Sequence, residues 1–585
     1  MGRTYKFQNL TGGLNTVSSI GTINQSSRRT ESPDMLNVEY YGLGGVASME
    51  GNISFGNQLS SGISGGWEYT QGNNKYMIIT SYDGGVYIYN AVTNTFDLLY
   101  TFPTGTSRTS FCNMNNGVVI TNGVDDPVFY SRGRHVLITG GVSTTQGSKD
   151  VVGEGTEFSK ELSIGDSLEI DGDVYFIQSI ESDTALTLKT NALKTLTTQN
   201  AYISTLSEIN AVLINSDDPD TRTPIRGLAI QYFKGRLWIG SGSTIYYSQL
   251  GQYNKWDIKY GAGGFGDFYN DTSNVKSLGL FGDYMMIHKE YYTYKLSGGN
   301  DPESWSLQPY SNITCESQQS WIVSNNKYYV YSASNMGIYP LTQYTIFSNS
   351  YAGSEISEKI RNIFQQLREQ DLDNIFVVSH PRKRWVMFYM PFYGYLGSSK
   401  AVILDLQTNS WLLRAVPQEV SVAFRFDNNI YIGTANGKVL REFSGRTFDG
   451  EFLDAYWKSP WFALGDDSYF KTFDEFNIQI SEEENNTFRL RGYRDGESNF
   501  TERIVTNNLP DVFALVWDSI QTDPENITSW DNYDWVKSKQ LNFRFPMELN
   551  YSNTYQVELR TSELNQGFSC FGFSFRRTEF AEDRW

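Results

Sequence analysis

Asn73-Asn74-Lys75 runs into Tyr76-Met77-Ile78-Ile79, Asp83-Gly84-Gly85 turns the chain, and Val86-Tyr87-Ile88-Tyr89 returns it. This is a β-hairpin written out in full. β-branched and aromatic residues favour the two strands, and Asn, Asp and Gly tolerate the positive φ of a tight turn. The pattern recurs along the chain. Lys234-Gly235-Arg236 leads into Leu237-Trp238-Ile239-Gly240, with Ile245-Tyr246-Tyr247 beyond the next turn. Phe281-Gly282-Asp283 leads into Tyr284-Met285-Met286-Ile287, and Tyr291 to Leu296 follows. Asn325-Asn326-Lys327 leads into Tyr328-Tyr329-Val330-Tyr331, then Ile338-Tyr339. Asp427-Asn428-Asn429 leads into Ile430-Tyr431-Ile432-Gly433, then Val439-Leu440. Hairpins recurring at roughly 40–50 residues mark a β-propeller, whose blades cannot bury their faces alone. No Trp-Asp or kelch signature accompanies them. The fold expected is all-β: a degenerate propeller of about six to seven blades.

Composition points the same way. Aromatic residues make up 15% of the 585 residues and Gly numbers 52 against 15 Pro, which suits pleated strands joined by tight turns. The length exceeds what one core supports, so several domains are expected. Residues 1–60 are rich in Gly, Ser and Asn and read as an extended N-terminal arm that runs along another surface. Residues 61–140 and 209–459 carry the propeller in two parts. Between them, 141–208 change character. Thr, Ser, Asp and Lys dominate, and Gly155 to Phe158, Gly165 to Ile170, Val174 to Ile177 and Ala185 to Leu188 outline a small β-barrel or sandwich around an Asp171-Gly172-Asp173 turn. An insertion at a loop tip would leave the blade's hydrogen bonds intact, so deleting 145–205 is expected to spare the propeller. Beyond 460 the repeats stop, and longer strands such as Phe473 to Ile480 and Phe571 to Phe575 predict a C-terminal β-sandwich over 460–585. One segment breaks the β pattern. Ile356, Ile360, Ile363, Phe364 and Leu367 fall at helical spacing behind Ser354, predicting one amphipathic helix of about four turns near 354–370.

Chemistry finds little purchase. Cys112, Cys315 and Cys570 are far apart in sequence, which predicts reduced, buried thiols. His135, His288 and His380 lie outside any metal or triad motif, so no catalytic, metal-binding or cofactor-binding residue is expected, and no cofactor. Gly261 to Gly266 superficially suggests a phosphate cradle but neither follows a βαβ strand nor opens a helix, so it reads as a propeller loop. The acidic pairs Asp125-Asp126 and Asp217-Asp218 and the group Asp166, Asp171, Asp173 lack calcium-loop spacing and read as turn formers. No apolar run is long enough to span a bilayer, and the first residues show no secretory pattern. The net charge of −18 argues against a clamp built on phosphate contacts, while an acidic channel would let nucleic acid slide without sticking. Arg132-Gly133-Arg134 and Arg382-Lys383-Arg384 are the notable basic clusters. Arg132, Arg134, Arg382, Lys383 and Arg384 are therefore the candidate DNA-channel residues.

Gly12-Gly13-Leu14-Asn15-Thr16, then Ser32-Pro33-Asp34-Met35-Leu36-Asn37-Val38-Glu39-Tyr40 and Gly44-Gly45-Val46, resemble the opening of bacteriophage tail proteins. Lys255-Trp256-Asp257, Val275 to Leu278, Trp305 and Ile313-Thr314-Cys315 continue the likeness in order. Together they resemble the tail nozzle proteins of short-tailed bacteriophages, also called tail tubular protein B or packaged-DNA stabilisation proteins. The resemblance covers most of residues 1–460. It implies a structural virion protein without enzymatic activity: a homo-oligomeric ring, a hexamer, below the portal and adaptor. Genomic double-stranded DNA would leave through its centre in transient contact, with tail fibre or spike proteins attached. It also implies assembly in the host cytoplasm and residence in the virion tail. The family has no motif from which a single functional residue carries over. Two other classes stay open: a host-glycan-binding tail protein, and a propeller glycan hydrolase using paired carboxylates.

Overall fold

The structure, a computed structural model, describes residues 3–18, 29–42, 44–71, 73–114, 117–131, 136–171, 173–209, 211–214, 222–341, 354–392, 399–463, 471–481, 487–506 and 540–579. Among these, seven antiparallel sheets succeed one another as blades of a propeller. Blade 1 spans Ile63–Gln71 to Thr95–Thr101, and blade 2 begins at Ser110–Met114. Blades 3, 4, 5 and 6 begin at Ala229–Phe233, Val275–Phe281, Trp321–Ser324 and Phe376–His380, and blade 7 at Val420–Phe426. Each first strand is the innermost, and successive first strands pack against one another, with blade 7 closing on blade 1. The turns that follow carry the chemistry expected of them. Lys234 and Gly235, Asn325 and Asn326, and Asp427 and Asn428 all adopt positive φ, as a two-residue turn between right-twisted strands requires.

The core lies between blades. Tyr69, Ile78 and Val86 of blade 1 bury against Phe111, Val118 and Ile120 of blade 2, and similar clusters fill the next seams. Second strands are sandwiched on both faces, so all six residues of Trp385–Met390 are buried. The three cysteines are free and buried, and burial pushes each thiol up to about 12.

Three details differ from the sequence reading. First, the described residues of the 1–60 segment lie along the chain's own surface. Arg3–Phe7 pairs with Ser569–Glu579, Met35–Leu36 with Tyr456–Lys458, and Asn52–Ser54 becomes the outer strand of blade 7 beside Val439–Glu442. Leu10, Leu14, Met35, Val38 and Val46 are buried there, which supplies the apolar contact that holds so Gly-rich a segment. Two facing sheets form the C-terminal sandwich, and this segment contributes strands to both. Phe7, Phe462, Phe573 and Phe575 pack between them, with the Phe7 and Phe462 rings 4.1 Å apart.

Second, the insert has its own core around Val142, Val151, Phe158, Leu168, Ile177 and Leu186, yet it is continuous with blade 2. The blade's fourth strand is Ala201–Glu208, inside the range assigned to the insert. It pairs with Val128–Tyr130 on one edge and with Asp166–Ile170 of the insert on the other. Deleting 145–205 would therefore cut into this strand, leaving only Leu206 to Glu208 to pair with Val128–Tyr130. Phe158, expected to end a strand, instead opens a single helical turn, Phe158–Glu161.

Third, the helix near 354–370 is one α-turn, Arg361–Phe364, flanked by the 3-10 turns Glu358–Ile360 and Glu369–Asn374. Ile360, Ile363, Phe364 and Leu367 are buried, so the periodicity reports a real apolar face. The helix cannot begin earlier because Ile356 has its backbone engaged elsewhere. Its N–H donates to the Ile338 carbonyl (3.1 Å) and its carbonyl accepts from Trp411 Nε1 (2.9 Å). No helix among the described residues is long and apolar enough to cross a membrane.

Candidate functional site

The basic turn Arg382-Lys383-Arg384 joins the first and second strands of blade 6, with Arg384 at φ 54°. Lys383 is half-buried and occupied. It pairs with Glu39, and its ammonium sits 4.9 Å from the Trp385 ring and 5.2 Å from the Phe443 ring. Burial raises the Glu39 carboxyl above its usual range, with Lys383 pulling the other way. Arg382 and Arg384 point into solvent. Arg132 and Arg134, with His135, lie outside the described residues. His288 is a core residue, with Nδ1 2.7 Å from Thr293 Oγ1 and Nε2 2.7 Å from the Tyr328 hydroxyl, and burial holds its pKa down to about 3. Gly263–Phe265 forms the outer strand of blade 3, so the glycine-rich segment is part of a sheet. Among the described residues no group of three or more His, Cys, Asp or Glu could hold a metal ion.

The more organised site lies at the opposite end of the inner strands, roughly 13 Å away at about 3.3 Å per residue. A strap, Glu316 to Ser320, crosses the propeller axis immediately before blade 5. Ser320 Oγ accepts from the backbone N–H groups of Glu316 (3.0 Å) and Ser317 (2.9 Å), folding the strap into a compact turn. Gln318 then reaches two blades. Its Nε2 donates to the carbonyls of Ile230 (3.1 Å) and Leu278 (2.9 Å), and its Oε1 accepts from Leu278 N–H (2.9 Å). Gln319 Nε2 donates to the Thr109 carbonyl of blade 2 (3.1 Å), and its own carbonyl accepts from Val377 N–H of blade 6 (2.9 Å). Four blades are thus stitched to one turn.

Above the strap opens a vestibule of about 460 Å³. Arg108, from the entry to blade 2, sets Nη1 3.1 Å from Asp373 Oδ2 and donates from Nη2 to Asn374 Oδ1 (2.9 Å). Lys276 of blade 4 stands 3.7 Å from the other Asp373 oxygen. Glu316 accepts from Ala333 N–H (2.9 Å) and has a raised pKa, mainly through burial, with nearby Lys276 opposing and Asp373 adding to the rise. Close backbone approach keeps the floor narrow: a Cβ on Gly227 would lie 1.8 Å from the Gly240 carbonyl oxygen. Sequence reasoning missed this constellation. The available signal was positional: Arg108, Lys276, Gln318, Gln319 and Asp373 each sit at or just before the first strand of a blade, where the chain reaches the axis.

No family model matches the chain, and no curated protein matches it. Among solved structures, the computationally designed Ika8 protein aligns over 68% of this chain and all of its own, at 12% identity and a TM-score of 0.34. A chain of the mitotic checkpoint complex aligns over 68% of this chain and 94% of its own, at 9% identity and a TM-score of 0.32. Neither likeness bears on function, and the fold stands on its own topology.

Proposed function

We propose that this protein is a structural subunit of a short-tailed phage tail nozzle, a ring whose lumen retains packaged DNA and conducts it during ejection. The order of Gly12 to Thr16, Ser32 to Tyr40 and the later motifs along one chain is the observation that carries this reading. The strap favours a channel between subunits. Glu316 to Ser320 ties blades 2, 3 and 4 together by hydrogen bonds of about 3 Å, which supports a duplex path between subunits over one through a propeller. A ring would repeat the exposed Arg382 and Arg384 once per subunit, a basic girdle able to pause a DNA end against an otherwise acidic or neutral wall. Only charges within about 8 Å of the duplex act on it at physiological salt. Six copies, an adaptor above and fibres or spikes at the side follow from the same resemblance. Electron cryomicroscopy of the virion tests the proposal: several copies around the tail axis are expected, and a single axial copy overturns it. Arg placed on lumen-facing acids should slow ejection at low salt, while the same change on the outer face should not.

A further inference from the structure

We infer that the vestibule above the strap is a binding site for a neutral saccharide of one or two rings. A volume of about 460 Å³ lies within the range of roughly 300–1,000 Å³ typical of small-molecule pockets. Charge selects the ligand class. Arg108 and Lys276 both converge on Asp373, and Glu316 completes a set of two cations and two carboxylates. An anion would have to displace Asp373 from its two partners, and a cation would face Arg108 and Lys276. A polyol meets neither obstacle, because each hydroxyl both donates and accepts.

The hydrogen-bonding capacity left over fits such a ligand. Arg108 has five N–H groups, of which the two contacts above use two, and the Lys276 ammonium keeps donors beyond Asp373. Leu228, Val275 and Phe376 add apolar surface for the C–H face of a sugar ring. This inference is independent of ring assembly, so either can fail alone.

Titration of the full chain with maltose, lactose and chitobiose, followed by saturation-transfer NMR and calorimetry, tests the site, with sialyllactose as the acidic comparator. Saturable binding of at least one neutral sugar is expected, at least tenfold tighter than sialyllactose. Val124→Trp and Asn274→Trp, at two exposed positions on the rim, should each weaken binding at least tenfold. Either variant that keeps the wild-type melting temperature decides the matter. Absence of saturable binding to all three neutral sugars, equal affinity for sialyllactose, or a folded rim variant that binds like wild type overturns the inference.

Discussion

Blades 2 and 7 both take their outermost strand from a distant part of the chain, and they hold it in opposite ways. Blade 7 receives only three residues, Asn52–Ser54. So short a ladder fixes register weakly, and a buried ion pair does the rest. The side chains of Arg414 and Glu442 are wholly buried and paired. Arg414 also donates to the carbonyls of Glu50 (2.9 Å) and Gly51 (3.2 Å), and its guanidinium lies 4.5 Å from the Phe443 ring. Glu442 accepts in addition from Asn52 Nδ2 (2.9 Å) across 390 residues of sequence. Blade 2 receives eight residues, Ala201–Glu208, gripped along both edges. The ion pair on that strand, Lys189 with the buried Glu208, is open on the lysine side, with Lys189 40% exposed. A long strand gains its register from the ladder, whereas a short one needs a polar lock.

The largest expected effect comes from removing residues 1–55. That deletion takes strands from both sheets of the sandwich and from blade 7, so the sharp thermal transition should disappear in calorimetry. A preserved cooperative transition would show the borrowed strands to be dispensable. Next, excising 139–199 and bridging with a short Gly-Ser linker keeps Ala201–Glu208 and should leave a folded, monodisperse propeller. Excising 139–208, which also removes Leu206 to Glu208, exposes Val128–Tyr130 as a bare sheet edge and should aggregate on size-exclusion chromatography. Identical behaviour of the two deletions would contradict the role given to the fourth strand.

Substitution probes the locks more gently. Arg414→Met or Glu442→Gln leaves a buried partner uncompensated and should cost about 3–5 kcal/mol in urea unfolding. Lys189→Met should cost less, on the order of 1 kcal/mol, because Lys189 is partly solvated and the Tyr100 hydroxyl still donates to Glu208. Equal costs would erase the distinction between the two blades. The smallest effect is one of pH. His380 sits at the blade 6–7 seam, against Trp385 and Phe443. Burial, then Lys383 and Arg382, holds its pKa down to about 4. On acidification the unfolded chain takes up this proton first, near pH 6.5, while the folded seam resists until about 4. Stability is therefore lost as pH falls across that window, by at most about 1.4 kcal/mol per pH unit from this residue. His380→Phe should flatten that part of the profile relative to wild type.

What the sequence made legible follows from locality. Turns such as Asn325-Asn326 and Asp427-Asn428 state their geometry in two adjacent residues, and the hairpins they join were read correctly. Asn52–Ser54 could not be read, because three residues carry no period and their partner lies near position 440. Ala201–Glu208 was assigned to the insert because it pairs with the insert as well as with the blade. The helix near 354 was overextended because apolar spacing reveals burial but not the contacts that occupy the Ile356 backbone. The vestibule was invisible for a related reason. Arg108, Lys276 and Asp373 meet only when three blades are arranged around one axis.

The interleaving of early and late strands also sets a timetable. Arg3–Phe7 pairs with Ser569–Glu579, so this strand, once out of the ribosome, cannot find its partner until residue 579 has been made. At about 5–20 residues per second that wait is roughly half a minute to two minutes. Blades 1 to 6 can fold sequentially as they emerge, while the propeller stays an open arc with the edge of blade 7 unpaired. The last event in maturation is then the docking of a waiting segment, and a nascent chain that meets another copy at that moment can exchange segments with it.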